Sequence, residues 1–330
     1  MMFRAPRFWG EPAGLLAVGL SPLAAAYGAV AARRMRAPAP RAELPTIVVG
    51  GLTLGGDGKT PLVLALVELL TEMGERPATL CRGYGGARGA APLVVDPARR
   101  AAREVGDEAL LHAAKTLTIV GADRAASARL AKAKGATALV LDDGLHSGAL
   151  APDLALLVVD ADYGAGNGLC PPAGPVRAPL AAQLARADAI VVVGQGDPQL
   201  DPPFEALTLR ARLAPDPAIT RRLARASVYG FAGVGRPEKF RRTIEETGAR
   251  LCGFREFPDH HSYCARELSA LRRAAQAAGA QLVTTEKDAV RIGDAADVRS
   301  LKVRLLFERE NTVRALLQRR LGCGVRKICA

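Results

Sequence analysis

The 330-residue sequence predicts an α/β fold: a doubly wound, mostly parallel sheet, a second and smaller α/β domain, and an N-terminal membrane helix. From residue 46 to residue 194, short apolar runs alternate with helical patterns, which is the order of a βαβ series. Apolar residues make up 49% of the chain but aromatic residues only 4%, so the core consists mainly of Ala, Leu and Val. Such a core is typical of helices packed on a parallel sheet.

The membrane helix is predicted over residues 13–32, which carry no charge. Twenty apolar residues can span a bilayer, and Pro22 in their middle is tolerable there. The arginines that follow disfavour a cleaved signal peptide and predict that the rest of the chain stays in the cytoplasm; they are Arg33, Arg34 and Arg36. A buried core helix is the alternative, because alanine makes the segment only mildly hydrophobic. We favour a single anchor that spans the membrane or lies in its interface.

The formal net charge of +12 suits either nucleic acid or an anionic membrane surface as a partner. No run interleaves arginine with aromatic residues as a nucleic-acid platform would, so nucleic acid is not expected. The six cysteines form no C-x-x-C pair and the four histidines show no zinc spacing. The sequence therefore predicts reduced thiols and no structural metal.

A glycine-rich loop follows the first predicted strand and ends in Gly58-Lys59-Thr60. In such a P-loop, backbone N–H groups hold phosphate, the lysine reaches the β- and γ-phosphates, and the threonine hydroxyl ligates Mg²⁺. The usual pattern places a glycine where this chain has Thr53, so a chance glycine-rich turn is the alternative. Because strand, Gly-Lys-Thr and helix follow in the required order, we predict a P-loop NTPase-type core that binds a nucleoside triphosphate.

The remaining elements follow from apolar runs and turn residues. In the core we expect strands at 46–50, 78–81, 117–121, 138–142, 154–160 and 189–194, with helices at 62–73, 107–114 and 122–134. A turn-rich segment at 196–203 marks a boundary. Beyond it we expect strands at 206–213, 227–231, 251–257, 281–285 and 303–307, with helices at 237–247, 265–278 and 312–321. The predicted division is an anchor at 1–37, a core at 38–200 and a C-terminal domain at 201–330.

Two pairs of carboxylates end apolar strands. Asp142 and Asp143 follow one strand, and Asp160 and Asp162 lie at the end of another. A strand-terminal aspartate beside a phosphate loop is the usual second anchor for Mg²⁺, although such pairs also form ordinary turns. We favour Asp142 and Asp143, since one of them can ligate the metal and the other remains available for a second role.

Four further residues are candidates with an ordinary alternative each. Asp107 begins a predicted helix, where it could complement the helix dipole or act as a base for a hydroxyl proton. His260 could be a surface residue, or it could pair with such a carboxylate and tune its basicity. Glu286 follows a strand and could belong to a solvated turn or contact the nucleotide. Arg177 could place a fixed positive charge near a phosphate.

Together these blocks resemble the tetraacyldisaccharide 4'-kinase family of the lipid A pathway, and the resemblance covers nearly the whole chain. The family carries threonine or serine at the position of Thr53, which accounts for the missing glycine. The matching blocks are residues 8–10, 49–61, 82–86, 105–108, 121–124, 141–144, 166–168, 172–179, 257–261 and 285–288.

The resemblance implies that ATP phosphorylates the 4'-hydroxyl of tetraacyldisaccharide 1-phosphate, giving lipid IVA, at the cytoplasmic face of the bacterial inner membrane. It implies ATP and Mg²⁺ as cofactors, a membrane surface and the lipid substrate as partners, and no obligate protein partner. The implied catalytic residues are Asp107 as base, His260, Lys59 and Arg177. The implied nucleotide-binding residues are Thr53, Gly55, Gly56, Asp57, Gly58, Lys59, Thr60 and Glu286. The implied metal ligands are Thr60, Asp142 and Asp143.

The chain departs from the family after the double aspartate. The family continues Gly-Phe-Gln-His-Arg-Arg-Leu, whereas this chain reads Gly144-Leu-His-Ser-Gly-Ala-Leu150, with His146 displaced by one position. Gly51 also replaces a common asparagine. A catalytically impaired lipid-binding homologue is therefore one alternative. A membrane-associated ATPase switch is another, but that class places a second lysine where this chain has Leu54.

Overall fold

The computed structural model describes residues 5–84, 86, 91–198, 200, 207–293 and 295–322. Its strands, in chain order, are β1 Thr46–Gly51, β2 Pro77–Cys81, β3 Leu93–Val94, β4 Leu117–Val120, β5 Ala138–Leu141, β6 Leu154–Asp160, β7 Ala189–Val193, β8 Leu207–Pro215, β9 Ser227–Ala232, β10 Arg250–Glu256, β11 Gln281–Thr285, β12 Val298–Leu301 and β13 Val303–Phe307. Its α-helices are α1 Leu15–Arg36, α2 Lys59–Glu72, α3 Ala102–Val105, α4 Asp107–Ala113, α5 Arg124–Ala133, α6 Leu180–Leu184, α7 Pro217–Leu223, α8 Pro237–Glu246, α9 Ala265–Ala277, α10 Glu286–Ile292 and α11 Glu310–Leu321.

The described strands form a large sheet and a small one. The large sheet has the order β13-β8-β7-β6-β1-β5-β2-β4-β3, and the small sheet has the order β10-β9-β11-β12. In the large sheet only the edge strands β3 and β13 pair antiparallel, and the small sheet is parallel throughout. The predicted doubly wound, mostly parallel α/β fold with a second α/β unit is confirmed.

The second half of the chain contributes to both sheets. Strands β8 and β13, which the sequence pattern assigns to the C-terminal domain, pair with the large sheet instead: β8 runs parallel to β7, and β13 runs antiparallel to β8. In chain order, the small sheet is therefore an insertion between β8 and β13 of the large one. The predicted boundary at 196–203 lies partly outside the described residues. Short elements such as β3, β12 and α6 are too brief for periodicity to reveal.

The core of the large sheet lies on both of its faces, because side chains alternate along each strand. Ile47 and Val49 of β1 point to one face and pack against Leu62 and Leu66 of α2. Val48, between them, points to the other face and packs in a second buried cluster with residues of β5 and β6. This packing holds β1 rigidly in the sheet, so the loop that follows β1 starts from a fixed position.

Helix α1 has 22 residues and confirms the predicted apolar N-terminal helix. By length and composition it is the one helix in the described part of the chain that could cross a membrane. One face packs on the body through residues that are mostly small: Ala17, Ala24, Gly28, Ala32 and Met35. The opposite face exposes large apolar side chains: Leu15, Leu16, Val18, Leu23, Tyr27 and Val30. The segment before it is fixed as well, since buried Trp9 donates from Nε1 to the carbonyl of Pro172 at 3.1 Å.

Candidate active site

The phosphate loop connects β1 to α2, as predicted. Gly58 caps α2 with φ of 97°, a left-handed conformation that favours glycine, and Lys59 is the first helical residue. Asp57 accepts a hydrogen bond from the backbone N–H of Thr53 at 2.9 Å and another from its hydroxyl. Thr53 is not among the residues with positive φ, so this position does not require the glycine of the usual pattern.

Gly51 lies directly under the side chains of the loop. A Cβ at this position would stand 2.5 Å from Asp57 Oδ2 and 3.2 Å from Lys59 Nζ. The lysine therefore folds back over the end of β1, towards the carboxyl edge of the sheet where ligands of open α/β sheets bind. This packing explains why glycine occupies position 51, since a larger residue would displace Asp57 and Lys59.

Arg236 reaches into the phosphate loop from the second lobe, which consists of the small sheet β9–β12 and the helices between its strands. Its Nη2 donates to Thr53 Oγ1 at 3.0 Å and to Asp57 Oδ1 at 3.2 Å, while Nη1 pairs with Asp160. Its guanidinium also stacks on the ring of Tyr163, 3.9 Å from the centroid. Arg236 was not predicted from the sequence. One sequence signal for Arg236 was available: it follows a glycine-rich turn between β9 and α8, at the carboxyl edge of the small sheet.

Asp107 begins α4 and is almost completely buried. Its Oδ2 accepts from Arg291 Nε at 2.8 Å and lies 3.2 Å from His260 Nδ1. Burial alone would raise the pKa of Asp107, but the hydrogen bond to His260 and the positive charges of Lys287 and Arg291 hold it well below its usual range. The pKa of His260 is raised: burial lowers it, and the bond to Asp107 outweighs that effect. The structure thus joins the predicted base and histidine across the two lobes.

Glu108 connects the same helix to the phosphate loop and to α10. Its Oε1 accepts from Thr60 Oγ1 at 3.2 Å and from Lys287 Nζ at 2.6 Å. Burial would raise the pKa of Glu108, but the charge of Lys287, supported by Lys59, lowers it to about 2. Helix α4 is therefore held between the nucleotide loop and the second lobe by charged contacts on both sides.

Asp142 follows β5, the strand beside β1, and its carboxylate is buried. Oδ2 lies 2.8 Å from Nε2 of His112, which is also buried, whereas Oδ1 has no hydrogen-bond partner in the described residues. No group of three or more metal-ligating side chains occurs in the part of the chain that the structure describes. A buried carboxylate oxygen without a donor nevertheless suits Mg²⁺, which takes one or two protein ligands together with phosphate oxygens.

Asp143 has a different environment from its neighbour. Both of its carboxylate oxygens accept from Arg177 Nη1 at 2.8 Å, and Arg177 Nε donates to the carbonyl of Thr53 at 2.8 Å. Burial would raise the pKa of Asp143, but the charges of Arg177 and Lys59 keep it below its usual range. Asp143 and His260 both adopt left-handed φ, at 56° and 58°. Such conformations in non-glycine residues cluster at functional sites.

Glu286 and Asp160 have partners outside this group. Glu286 begins α10, where its carboxylate accepts from the backbone N–H of Val303 at 3.3 Å; the next residue, Lys287, faces the site instead. Asp160, the rival acid, is paired with Arg236 and Lys239. The structure therefore brings together Lys59, Thr60, Asp107, Asp142, Asp143, Arg177 and His260, and it leaves Glu286 outside this group.

Comparisons with known proteins identify the family of this chain. The sequence model of the family described as LpxK, tetraacyldisaccharide-1-P 4'-kinase, matches residues 16–322. The chain belongs to this family. A tetraacyldisaccharide 4'-kinase of Methylobacterium sp. (strain 4-46) is 50% identical over 329 residues, which are 98% of each chain. One from Methylobacterium nodulans is 48% identical over 325 residues, covering 97% of this chain and 96% of the relative.

A solved member of the family has the same fold. The crystal structure of the "apo" form of LpxK from Aquifex aeolicus in complex with ATP superposes with a TM-score of 0.73 at 25% identity, covering 93% of this chain and all of that one. The predicted family resemblance is confirmed, and with it the class of kinase. The comparisons favour the kinase over the ATPase switch.

The segment that departs from the family is fixed within this site. His146 Nε2 lies 2.7 Å from Gln183 Oε1, and the amide nitrogen of Gln183 donates to the carbonyls of Leu52 and Ala178. Because the amide nitrogen is already committed to two carbonyls, Oε1 is the acceptor and His146 carries its proton on Nε2. Burial, assisted by the charge of Arg177, lowers the pKa of His146 to about 4. His146 is therefore a neutral residue that supports the end of β1.

Proposed function

We propose that this kinase transfers the γ-phosphoryl group of ATP to the 4'-hydroxyl of a tetraacyldisaccharide 1-phosphate, giving lipid IVA. The main observation behind the proposal is that one helix, α4, connects the phosphate loop to Asp107. Glu108 contacts Thr60 of the loop, and the adjacent Asp107 is held by His260 and Arg291 of the second lobe. This arrangement supports a phosphate site next to an ionised carboxylate that can accept a proton.

The residues of the core hold the nucleotide. The backbone of residues 55–58 and the start of α2 would offer N–H groups to the phosphates, and Lys59 supplies positive charge. Asp142 Oδ1 and the Thr60 hydroxyl would hold Mg²⁺, which would supply positive charge to balance the charge of the phosphates. Asp143 keeps Arg177 in place beside the loop, where the guanidinium stabilises charge that develops on the phosphoryl group.

The transfer step moves one bond and one proton. The 4'-oxygen forms a bond to the γ-phosphorus, the bond from that phosphorus to the bridging oxygen breaks, and ADP leaves. The hydroxyl proton passes to Asp107. The hydrogen bond with His260 and the charges of Lys287 and Arg291 keep this carboxylate ionised, so it can accept the proton. A general base contributes about 10²–10⁴-fold to the rate. Positioning and charge neutralisation supply the rest, as in phosphoryl transfer generally.

The N-terminal helix brings the site to the lipid. Ala17 and Met35, near opposite ends of α1, are both buried, so the helix lies along the body over most of its length. Leu16 and Leu23 on its outer face are about 60% exposed. These features support a helix that embeds its outer face in the cytoplasmic leaflet of the bacterial inner membrane. Exposed arginines at its end suit anionic lipid; they are Arg33, Arg34 and Arg36.

The test is transfer of label from γ-labelled ATP to purified tetraacyldisaccharide 1-phosphate by the full chain in detergent. We expect labelled lipid from the natural protein and from Arg272→Gln, a surface control, and none from Lys59→Ala. Release of labelled phosphate without labelled lipid would support an ATPase switch instead. Lipid binding with neither product would support an impaired homologue, and either result would refute the proposal.

A further inference from the structure

We propose that His112 is a positioning residue for the cation in this site, acting through Asp142. This inference rests on the proposed function, because it concerns the Mg²⁺ that accompanies ATP. His112 is on α4, five residues after Asp107, and its side chain is completely buried. The described residues give its ring one hydrogen-bond partner, Asp142 Oδ2, at 2.8 Å from Nε2.

The contact determines which carboxylate oxygen is available. The backbone N–H of Asp142 donates to Leu80, and Nε2 of His112 holds Oδ2, so the side chain has little freedom to rotate. Oδ1 stays buried with no donor in the described residues. Leaving a carboxylate oxygen buried without a partner is costly, and a bound cation removes that cost. His112 thus keeps one oxygen occupied and presents the other.

The histidine also connects the cation site to the base. Helix α4 carries Asp107 at its first turn and His112 at its last, and Glu108 between them contacts Thr60. A single rigid element therefore touches the proton acceptor, the phosphate loop and the proposed metal ligand. Partners that orient a ligand in this way typically change metal affinity by about 10–100-fold when they are removed.

The experiment compares three variants of one side chain. His112→Gln keeps an N–H donor near the position of Nε2, His112→Asn places its amide closer to the backbone, and His112→Leu removes the donor. Mn²⁺ replaces Mg²⁺, and its binding is followed by electron paramagnetic resonance with a non-hydrolysable ATP analogue present. Asp142→Asn is the reference for a lost ligand. Nucleotide affinity without metal and thermal melting are measured for every variant.

We expect Mn²⁺ to bind about tenfold more weakly to His112→Leu and His112→Asn, and nearly as well to His112→Gln as to the natural protein. We expect the affinity for nucleotide without metal to change by less than about twofold, well below the tenfold loss expected for Mn²⁺. Unchanged Mn²⁺ affinity in His112→Leu would overturn the inference. If the leucine variant does not fold, equal Mn²⁺ affinity of the two amide variants would overturn it. Failure of lipid phosphorylation by the natural protein is a separate result and would instead refute the proposed function.

Discussion

Removing the Arg291 guanidinium should weaken the contact between α10 and α4 and disorder the base. Arg291 contacts three acceptors at once: Asp107 through Nε and Nη2, the carbonyl of Gly233 through Nη1 at 2.6 Å, and Asp288 through Nη1 at 2.9 Å. The side chains of Arg291 and Asp107 are only 6% and 3% exposed. A lysine cannot span these acceptors, because its single ammonium group lacks the planar fork.

The magnitude follows from this burial. In Arg291→Gln the carboxylate of Asp107 would remain buried without the arginine that pairs with it, and removing one partner of a buried ion pair typically costs about 3–5 kcal/mol. Arg272 offers a matched control on the same lobe. It contacts Asp297 through Nε at 2.6 Å and Nη2 at 2.9 Å, but these side chains are 44% and 49% exposed. Arg272→Gln should therefore cost only about 0.2–1 kcal/mol.

Urea unfolding followed by circular dichroism measures both variants, and steady-state kinetics measures their turnover. We expect Arg291→Gln to unfold at clearly lower urea than Arg272→Gln, and its turnover to fall more than its KM for ATP changes. Arg291→Lys should resemble Arg291→Gln. Equal midpoints for Arg291→Gln and Arg272→Gln would refute the reasoning, because burial would then make no difference between two paired arginines.

Three further predictions concern single residues. Asp107→Asn should lower turnover by about 10²–10⁴-fold with little change in the KM for ATP, and unchanged turnover in the lipid assay would exclude Asp107 as the base. Lys59→Ala should weaken nucleotide binding, measured by calorimetry, as well as turnover; unaltered binding would contradict its place at the phosphates. The raised pKa of His260 means that its protonated form stabilises the native state fully below the unfolded pKa of about 6.5, and that this stability is lost as pH rises through the higher native pKa. The unfolding free energy lost in His260→Ala should accordingly shrink as pH rises, and a difference that grows with pH would contradict the assignment.

Local patterns were sufficient for much of the site. The order of strand, glycine-rich loop and helix predicts the positions of Lys59 and Thr60, and α2 does begin at Lys59. An apolar strand followed by two acids predicts Asp142 at the carboxyl edge beside β1. These predictions succeed because each depends on a few consecutive residues whose geometry is set by the backbone. The different partners of Asp142 and Asp143 were not predictable in the same way, since they come from His112 and Arg177 elsewhere in the chain.

The sequence by itself determined the family, the parallel α/β core and the apolar helix, because periodicity and short motifs are properties of neighbouring residues. Only the tertiary structure decided which charges meet: Asp107 pairs with Arg291, 184 residues away, and Asp57 with Arg236, 179 residues away. It also decided that β8 and β13 complete the large sheet. Such contacts depend on how the second lobe packs against the first, and that packing comes from burial and charge summed over the whole chain rather than from any one segment.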